Sequence, residues 1–302
     1  MHLQNLNWDD LRVFLEVSRT RLLSKAADRL HLDQTTVSRR LQRLEDKLSV
    51  QLFERSRQGH KLTKAGCELQ PFAQQVESAT LSAQECLSGA DQALSGILRV
   101  NVADGFGALF VAPHLAAFTS LHPAIEVELV SNLNFLNVSQ RETDIAVHLA
   151  RPSADNLIVQ KLTDYHLKLY ASREYLAAAA PITSPDDLSG HTFVSYIDDF
   201  IYASELRYME DTDLDAPSRV RLSSTVAQYH AVRNGAGLCI LPCFMAQGDP
   251  ALVPLLEDSV LVTRTFWLIT PEDLKNVARV QSFISFLLGL CQREKARLLG
   301  NG

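Results

Sequence analysis

"LDQTTVSRRLQRLEDKL", residues 32–48, sets three arginines (Arg39, Arg40, Arg43) beside uncharged hydrogen-bonding side chains, with the acids Glu45 and Asp46 only afterwards. The whole chain of 302 residues carries a formal net charge of −6, so this local excess of cations calls for a reason. Val37, Leu41, Leu44 and Leu48 recur at 4-3-4 spacing, which predicts one buried helical face. Asp33 stands where a carboxylate caps the first turn. With Val37 and Leu41 inward, Gln34 stacks on Ser38 and Thr35 on Arg39 as i,i+4 pairs along exposed flanks. These groups suit base edges: Gln with adenine, Arg with the O6/N7 edge of guanine, a Thr methyl with thymine. Thr36 joins the same set, while Arg40 and Arg43 are better placed for phosphates. A solvated amphipathic helix is the alternative reading of this stretch alone.

The flanks extend the pattern. Upstream, "WDDLRVFLEVS" puts Leu11, Phe14 and Leu15 on one face, with Asp9 and Asp10 in the first turn, where carboxylates favour the helix dipole. "LSKAADRL" offers Ser24 as an N-cap and Ala26, Ala27 and Leu30 as a close-packing face. Two helices joined by the turn His31–Asp33 predict a helix-turn-helix. Downstream, "QLFERSRQGHKLT" (51–63) reads as a hairpin turning at Gly59, with Arg55, Arg57, His60 and Lys61 near its tip. Such a basic ribbon reaches the DNA backbone or minor groove; a charged solvent loop is the alternative. From Lys64, Leu69, Phe72, Val76, Ala79, Ala83, Cys86 and Ala90 form a heptad seam, expected to pair with a second copy of the chain. Pro71 should bend or end that helix, and Ser88–Gly96 reads as a hinge.

Charge divides the chain. Residues 1–64 carry a net +5 and the remaining 238 a net −11, as an anion-binding module on a separate domain would. From Ile97 strand-like and helical stretches alternate: "ILRVNVA", "ALFVAPHLAAFTSL", "IEVELV", "DIAVHLA", "LIVQKL", "LKLYAS", "TFVSYI", "RVRLSS", "GLCILP", "TRTFWLIT" and a last helix "LKNVARVQSFISFLLGLCQREKARLL". That alternation predicts an α/β domain of two sub-domains with ligand space between them. The acidic run Glu205–Asp215 reads as solvated surface.

Several classes are disfavoured. Asp9, Asp10 and Arg12 fall where a secretion signal needs an apolar core. The longest uncharged stretch, Gly105–Ile125, holds two prolines and two histidines, which argues against a membrane span. Five scattered cysteines suggest reduced thiols in the cytosol. Cys239 and Cys243 match neither a zinc knuckle nor a redox pair and read as buried thiols. No G-x-S-x-G, phosphate loop or H-E-x-x-H is present, and "GFG" and "GAG" are too short to claim a dinucleotide, so neither a catalytic function nor a cofactor or metal is expected.

Together, "DDLRVFLEVSRT…SKAADRLHLDQTTVSRRLQRLEDKLSVQLFERSRQGHKLTKAG", "GILRVNVADGFGALFVAPHLAAFTSLHPAIEVELV", "DIAVHLA" and "AVRNGAGLCILP" resemble the LysR-type transcriptional regulator family over essentially the full chain. The resemblance implies a winged helix-turn-helix head (1–64), a linker helix and hinge (65–95), and a periplasmic-binding-protein-like α/β effector domain (96–302). Its sub-domains would span about 96–164 with 265–302, and about 165–264. It implies a cytoplasmic homodimer or homotetramer on promoter DNA, modulated by a small-molecule effector, with RNA polymerase a candidate partner. Gln34, Thr35, Ser38, Arg39 and Arg55 match the family's DNA-meeting positions. Ser49 stands where a glycine normally ends the helix, so a strained or rearranged cap is expected. Asp104 and Phe106 follow the first strand of the effector half. Asp104 has the wrong charge for an acidic effector, which suggests a cationic or neutral ligand or one bound by backbone groups. Asn132, His148, Tyr196, Ser224 and Thr225 end other strands and are candidate cleft residues. His148 is singled out as a polar residue in an apolar strand, a candidate ligand or pH sensor. The rival readings are a solute-binding or enzymatic α/β domain with an incidental basic head, and a nucleoid-type binder without sequence preference.

Overall fold

The structure, a computed structural model, describes residues 6–56, 59–87, 94–131, 143–153, 156–212 and 218–301. It divides into two compact units, an N-terminal one up to Ala93 and a C-terminal one from Leu94.

The N-terminal unit begins with α1 (Trp8–Thr20), whose first turn is capped by Asn7 accepting from the Asp9 N–H at 2.9 Å. α2 (Leu23–Leu30) starts a residue before the expected Ser24 cap. Leu22 holds the cap position with no side-chain hydrogen bond, and its carbonyl instead accepts from Ala26 at 3.0 Å. α3 (Gln34–Leu48) is capped by Asp33, which accepts from the Thr36 N–H at 2.7 Å. Val37, Leu41 and Leu44 are buried against Leu11, Phe14, Leu15, Ala26 and Ala27. Glu45 then accepts from the N–H groups of Leu52 (2.7 Å) and Phe53 (3.2 Å), turning the chain into a hairpin. Its strands β1 (Phe53–Ser56) and β2 (Gly59–Leu62) are antiparallel, from Phe53 opposite Leu62 to Ser56 opposite Gly59. Gly59 has φ +108°, and a Cβ there would lie 2.3 Å from the Arg21 carbonyl. His60 donates to the same carbonyl at 2.8 Å, so the hairpin is anchored at the end of α1 by an approach only glycine allows.

α4 (Lys64–Leu87) continues through Pro71, which therefore does not end the helix. Proline costs about 3 kcal/mol in a helix interior. Packing holds this turn regardless: Ala73 and Gln74 are buried, and Arg19 of α1 clasps Glu77 through two bonds of 3.1 and 2.6 Å. Of the heptad seam, Phe72 is 64% exposed and Val76 39%, whereas Leu69 packs on the core. Ala90 lies outside the described residues.

The C-terminal unit opens with β3 (Gly96–Val102) and the short α5 (Asp104–Phe106), then α6 (Leu115–Leu121). The expected helix over this stretch is broken by a π turn, Gly107–Val111, and a 3-10 turn, Ala112–His114. Pro113 has no N–H for the Leu109 carbonyl, and that carbonyl accepts from Arg297 instead, at 3.1 Å. There follow β4 (Ile125–Val130), β5 (Ile145–His148), β6 (Leu157–Ser172), α7 (Arg173–Ala178), β7 (Phe193–Tyr196), β8 (Ser218–Leu222), α8 (Thr225–Arg233), β9 (Leu238–Pro242), α9 (Cys243–Ala246), β10 (Leu252–Leu255), β11 (Leu261–Pro271), α10 (Ala278–Arg293) and α11 (Lys295–Leu299).

"LIVQKL" and "LKLYAS" are one strand, β6, because β11 pairs along it from Leu157–Pro271 to Lys168–Leu261. The last helix is in turn divided into α10 and α11 at Glu294. Among the described residues the strands form one sheet in the order β4-β3-β5-β11-β6-β9-β7-β8, with β10 beside β6. β4, β3 and β5 form one parallel group and β9, β7 and β8 another. The long antiparallel strands β6 and β11 run through both. Two α/β halves sharing crossing strands leave a cleft where the C-terminal ends of β3 and β7 meet, the position at which open α/β sheets bind ligands.

Candidate functional site

Two sets of side chains qualify, one on each unit. On α3, Gln34, Ser38 and Arg39 are exposed and make no hydrogen bond or ion pair among the described residues. Ser38 and Arg39, with Thr35, Gln42, Arg43 and Asp46, border a shallow hollow on the helix surface. Lys61 of β2 is exposed as well. Arg55 lies in β1 opposite His60, and Arg57 falls outside the described residues. The hydroxyl groups of Thr35 and Thr36 both donate to Asp33, the latter at 2.7 Å. Those bonds, Thr35 first, hold the Asp33 carboxyl well below the usual carboxylate range. Thr35 and Thr36 thus present their methyl groups while their hydroxyls are engaged in the cap.

Arg43 has a partner within the unit that its spacing does not announce. Its Nε donates to Asp10 Oδ2 at 2.9 Å and a terminal nitrogen donates to the other oxygen, a bidentate pair with a carboxylate that is 0% exposed. A buried carboxylate needs a cation, so this guanidinium serves the interior of the unit before any phosphate. The pair raises the Arg43 pKa, chiefly through the hydrogen bond to Asp10. Arg40 pairs with the more exposed Asp9 at 3.1 Å, a contact that a phosphate can replace.

In the C-terminal unit, Asp104, Tyr196 and Thr225 line one cavity together with Phe106, and Ser224 adjoins it. The Asp104 carboxylate, in the first turn of α5, accepts from Ser224 Oγ at 2.6 Å and from the Val226 N–H at 3.4 Å. Ser224 is itself the N-cap of α8 and accepts from Ala227 N–H at 3.2 Å. The Tyr196 hydroxyl bonds Thr225 Oγ1. Phe106 is buried among Phe110, Phe244 and Phe266, at ring separations of 4.9, 5.9 and 4.2 Å. Burial raises the Tyr196 and Tyr208 phenols and pushes Tyr202 up to about 12. These hydroxyls are neutral hydrogen-bonding groups at any physiological pH. The free space is small, about 30 Å³, on the scale of a single water.

His148 does not line this cavity; it sits on β5 opposite Trp267 of β11, while the next residue, Leu149, faces the cavity. Burial lowers its pKa to about 4, which removes it from the physiological range and from the role of a sensor there. Asn132 lies outside the described residues. Sequence reasoning missed Tyr165, Tyr202, Leu206, Tyr208, Phe244 and Phe266. Leu206 and Tyr208 are buried inside the run read as solvated surface, and the only local signal was the tyrosine spacing in "YASELRY". Cys239 and Cys243 are buried as expected, Cys291 is buried as well, and burial raises each thiol, Cys291 to about 12.

Residues 8–67 match the family described as bacterial regulatory helix-turn-helix protein, lysR family, and residues 91–292 match the LysR substrate binding domain. The HTH-type transcriptional regulator PtxR of Pseudomonas aeruginosa is 29% identical, over 98% of this chain and 96% of its own length. The regulator CrgA of Neisseria meningitidis is 28% identical over 93% and 96%. The CrgA structure, at 25% identity, superposes with a TM-score of 0.59 over 94% of this chain and 99% of its own. Full-length OxyR C199D from Pseudomonas aeruginosa, 20% identical, shares the fold with a TM-score of 0.73 over 95% and 97%.

Proposed function

The chain is a member of the LysR family of bacterial helix-turn-helix transcriptional regulators, and on that premise we propose that α3 and the β1–β2 hairpin read promoter DNA while the cleft ligand shifts that reading. The observation that carries the DNA reading is the division of α3 into two faces. Val37, Leu41 and Leu44 fill the core, and Gln34, Ser38 and Arg39 stand exposed and uncommitted. A purely electrostatic binder has no need of that side-chain mix. Thr35 and Thr36 add methyl contacts, Arg40, Arg55, Arg57 and Lys61 meet phosphates, and Arg43 chiefly positions the helix.

Residues 1–64 form the reading head in this proposal, 65–95 the linker, and 96–302 the sensor. The exposed Phe72 and Val76 of α4 supply the seam on which two copies pair, as a homodimer or a pair of dimers. The protein works in the cytosol, and no described helix is long and apolar enough to cross a membrane. Contact with RNA polymerase is an extension of the same reading.

The test is capture and sequencing of genomic fragments by the full-length protein at physiological salt, with Arg39→Ala in parallel. A few enriched intergenic sites, absent with the variant, are expected. Uniform capture by both proteins would sink promoter reading and leave the nucleoid-type alternative.

A further inference from the structure

α8 is nine residues long, and its first N–H groups carry the partial positive charge of a helix terminus. Such an end facing a cleft is a ready place for an anion. Here it is already filled by the chain. Asp104 reaches it from the end of β3, in the opposite half of the unit, and accepts from both Ser224 Oγ and the Val226 N–H. The approach is close enough that a Cβ on Gly105 would meet Met245 Sδ at 2.7 Å and Thr225 Cβ at 3.5 Å. Asp104 is the single charged side chain among the described residues lining the cavity, whose other walls are aromatic, aliphatic or hydroxyl-bearing.

We infer that Asp104 is a built-in anion: it occupies the α8 terminus that a ligand carboxylate would take, and so restricts the cleft to ligands without a negative charge. An acidic ligand would have to displace a carboxylate held by two hydrogen bonds and enter a cavity with no cationic wall to receive it. A neutral or cationic ligand meets phenol hydroxyls and ring faces, which accept either. The inference rests on reading the cleft as the ligand site.

The experiment uses full-length wild type, Asp104→Ala and Asp104→Asn, with thermal midpoints read in millimolar sodium formate against sodium chloride at matched ionic strength. Wild type is expected to show the same midpoint in both salts. Asp104→Ala loses several degrees, and formate returns at least half of that loss by standing in for the missing carboxylate. Asp104→Asn keeps the bulk without the charge and is not rescued. Should Asp104→Ala fail to fold, Asp104→Ser, which leaves a hydroxyl toward Ser224, takes its place.

Formate stabilising wild type, or leaving the small variants no better than chloride does, overturns the inference. Binding of captured promoter fragments is followed in the same salts. A variant rescued in stability whose DNA binding ignores formate would uphold Asp104 as the selecting group and refute cleft-to-DNA coupling, so the two failures are separable.

Discussion

On α3, Gln34, Ser38 and Arg39 stand exposed without partners among the described residues, whereas in the cleft Asp104 is bonded to Ser224 and Tyr196 to Thr225. Polar side chains serve opposite ends in the two places. Where charge must be held in the head, as in Asp10 with Arg43, it is held by a bidentate pair to a buried carboxylate. An interface that waits for a large polyanion leaves its donors in water, at little desolvation cost. A cleft that waits for a small ligand must keep buried polar groups satisfied meanwhile, and does so by pairing them internally. The head therefore resembles a finished surface, and the cleft a closed one that a ligand has to open against its own contacts.

The largest effects should come from the cleft side of this contrast. Phe106→Ala removes a ring buried among three others, at an expected cost of about 3–5 kcal/mol by the usual range for such truncations, read by chemical denaturation. A loss below about 1 kcal/mol would mean that the aromatic walls collapse freely, and the picture of a firmly closed cleft would be wrong. Acid is the next probe. Burial lowers His148 from 6.5 to about 4, so between those values the unfolded chain binds a proton that the folded chain refuses. Stability is then complete above the unfolded pKa and falls as the pH drops toward the folded one, by about 3 kcal/mol in all. His148→Leu should flatten that part of the profile against wild type. An unchanged slope would place the acid sensitivity elsewhere.

The head side predicts smaller effects in stability and visible ones in binding. Arg39→Ala should leave the thermal midpoint where it is, because the side chain holds nothing in place, yet cost about 1–3 kcal/mol of discrimination at its base pair. Arg43→Ala should do the reverse, lowering the midpoint because Asp10 stays buried without its bidentate partner, with little change in base preference once folded. Binding assays on site and scrambled duplexes, beside melting curves, separate the two arginines. If both behave alike, the division of labour on α3 fails.

How much of this was legible beforehand follows from how local each signal is. The buried face of α3 and its Asp33 cap lie within a few residues of one another, and periodicity exposes them. The Arg43–Asp10 pair spans 33 positions, and nothing in the spacing of either residue announces it. The cleft is harder still. Its walls come from residues as distant as Phe106, Tyr208 and Phe266, and Tyr202 and Tyr208 sit in irregular turns among acids, where no period marks an inward side. Arg264 helps fix that segment by donating to the Glu205 carbonyl at 2.9 Å, a tie made across 59 positions. His148 shows the opposite error: its oddness in an apolar strand was real, but strand alternation carried it to the side away from the cavity.

The smallest effect tests the head's backbone. α1, α2 and α3 all end in a non-glycine residue with left-handed φ: Arg21 at 58°, His31 at 53° and Ser49 at 55°. At Ser49 the cap is otherwise complete, its N–H donating to Glu45 and Asp46 carbonyls and Val50 N–H donating to Glu45 at 3.2 Å. The geometry is thus that of a glycine cap carrying a Cβ, with a steric cost of roughly 1–2 kcal/mol. Ser49→Gly relieves it but adds freedom to the unfolded chain worth about 0.4–1 kcal/mol. The balance is a gain of about 0.5–1 kcal/mol, measurable as a higher denaturation midpoint with an unchanged slope. DNA binding should not move, since Ser49 lies at the far end of α3 from Gln34 and Ser38. A loss of stability instead would show that the Ser49 side chain contributes to the cap more than its strain removes.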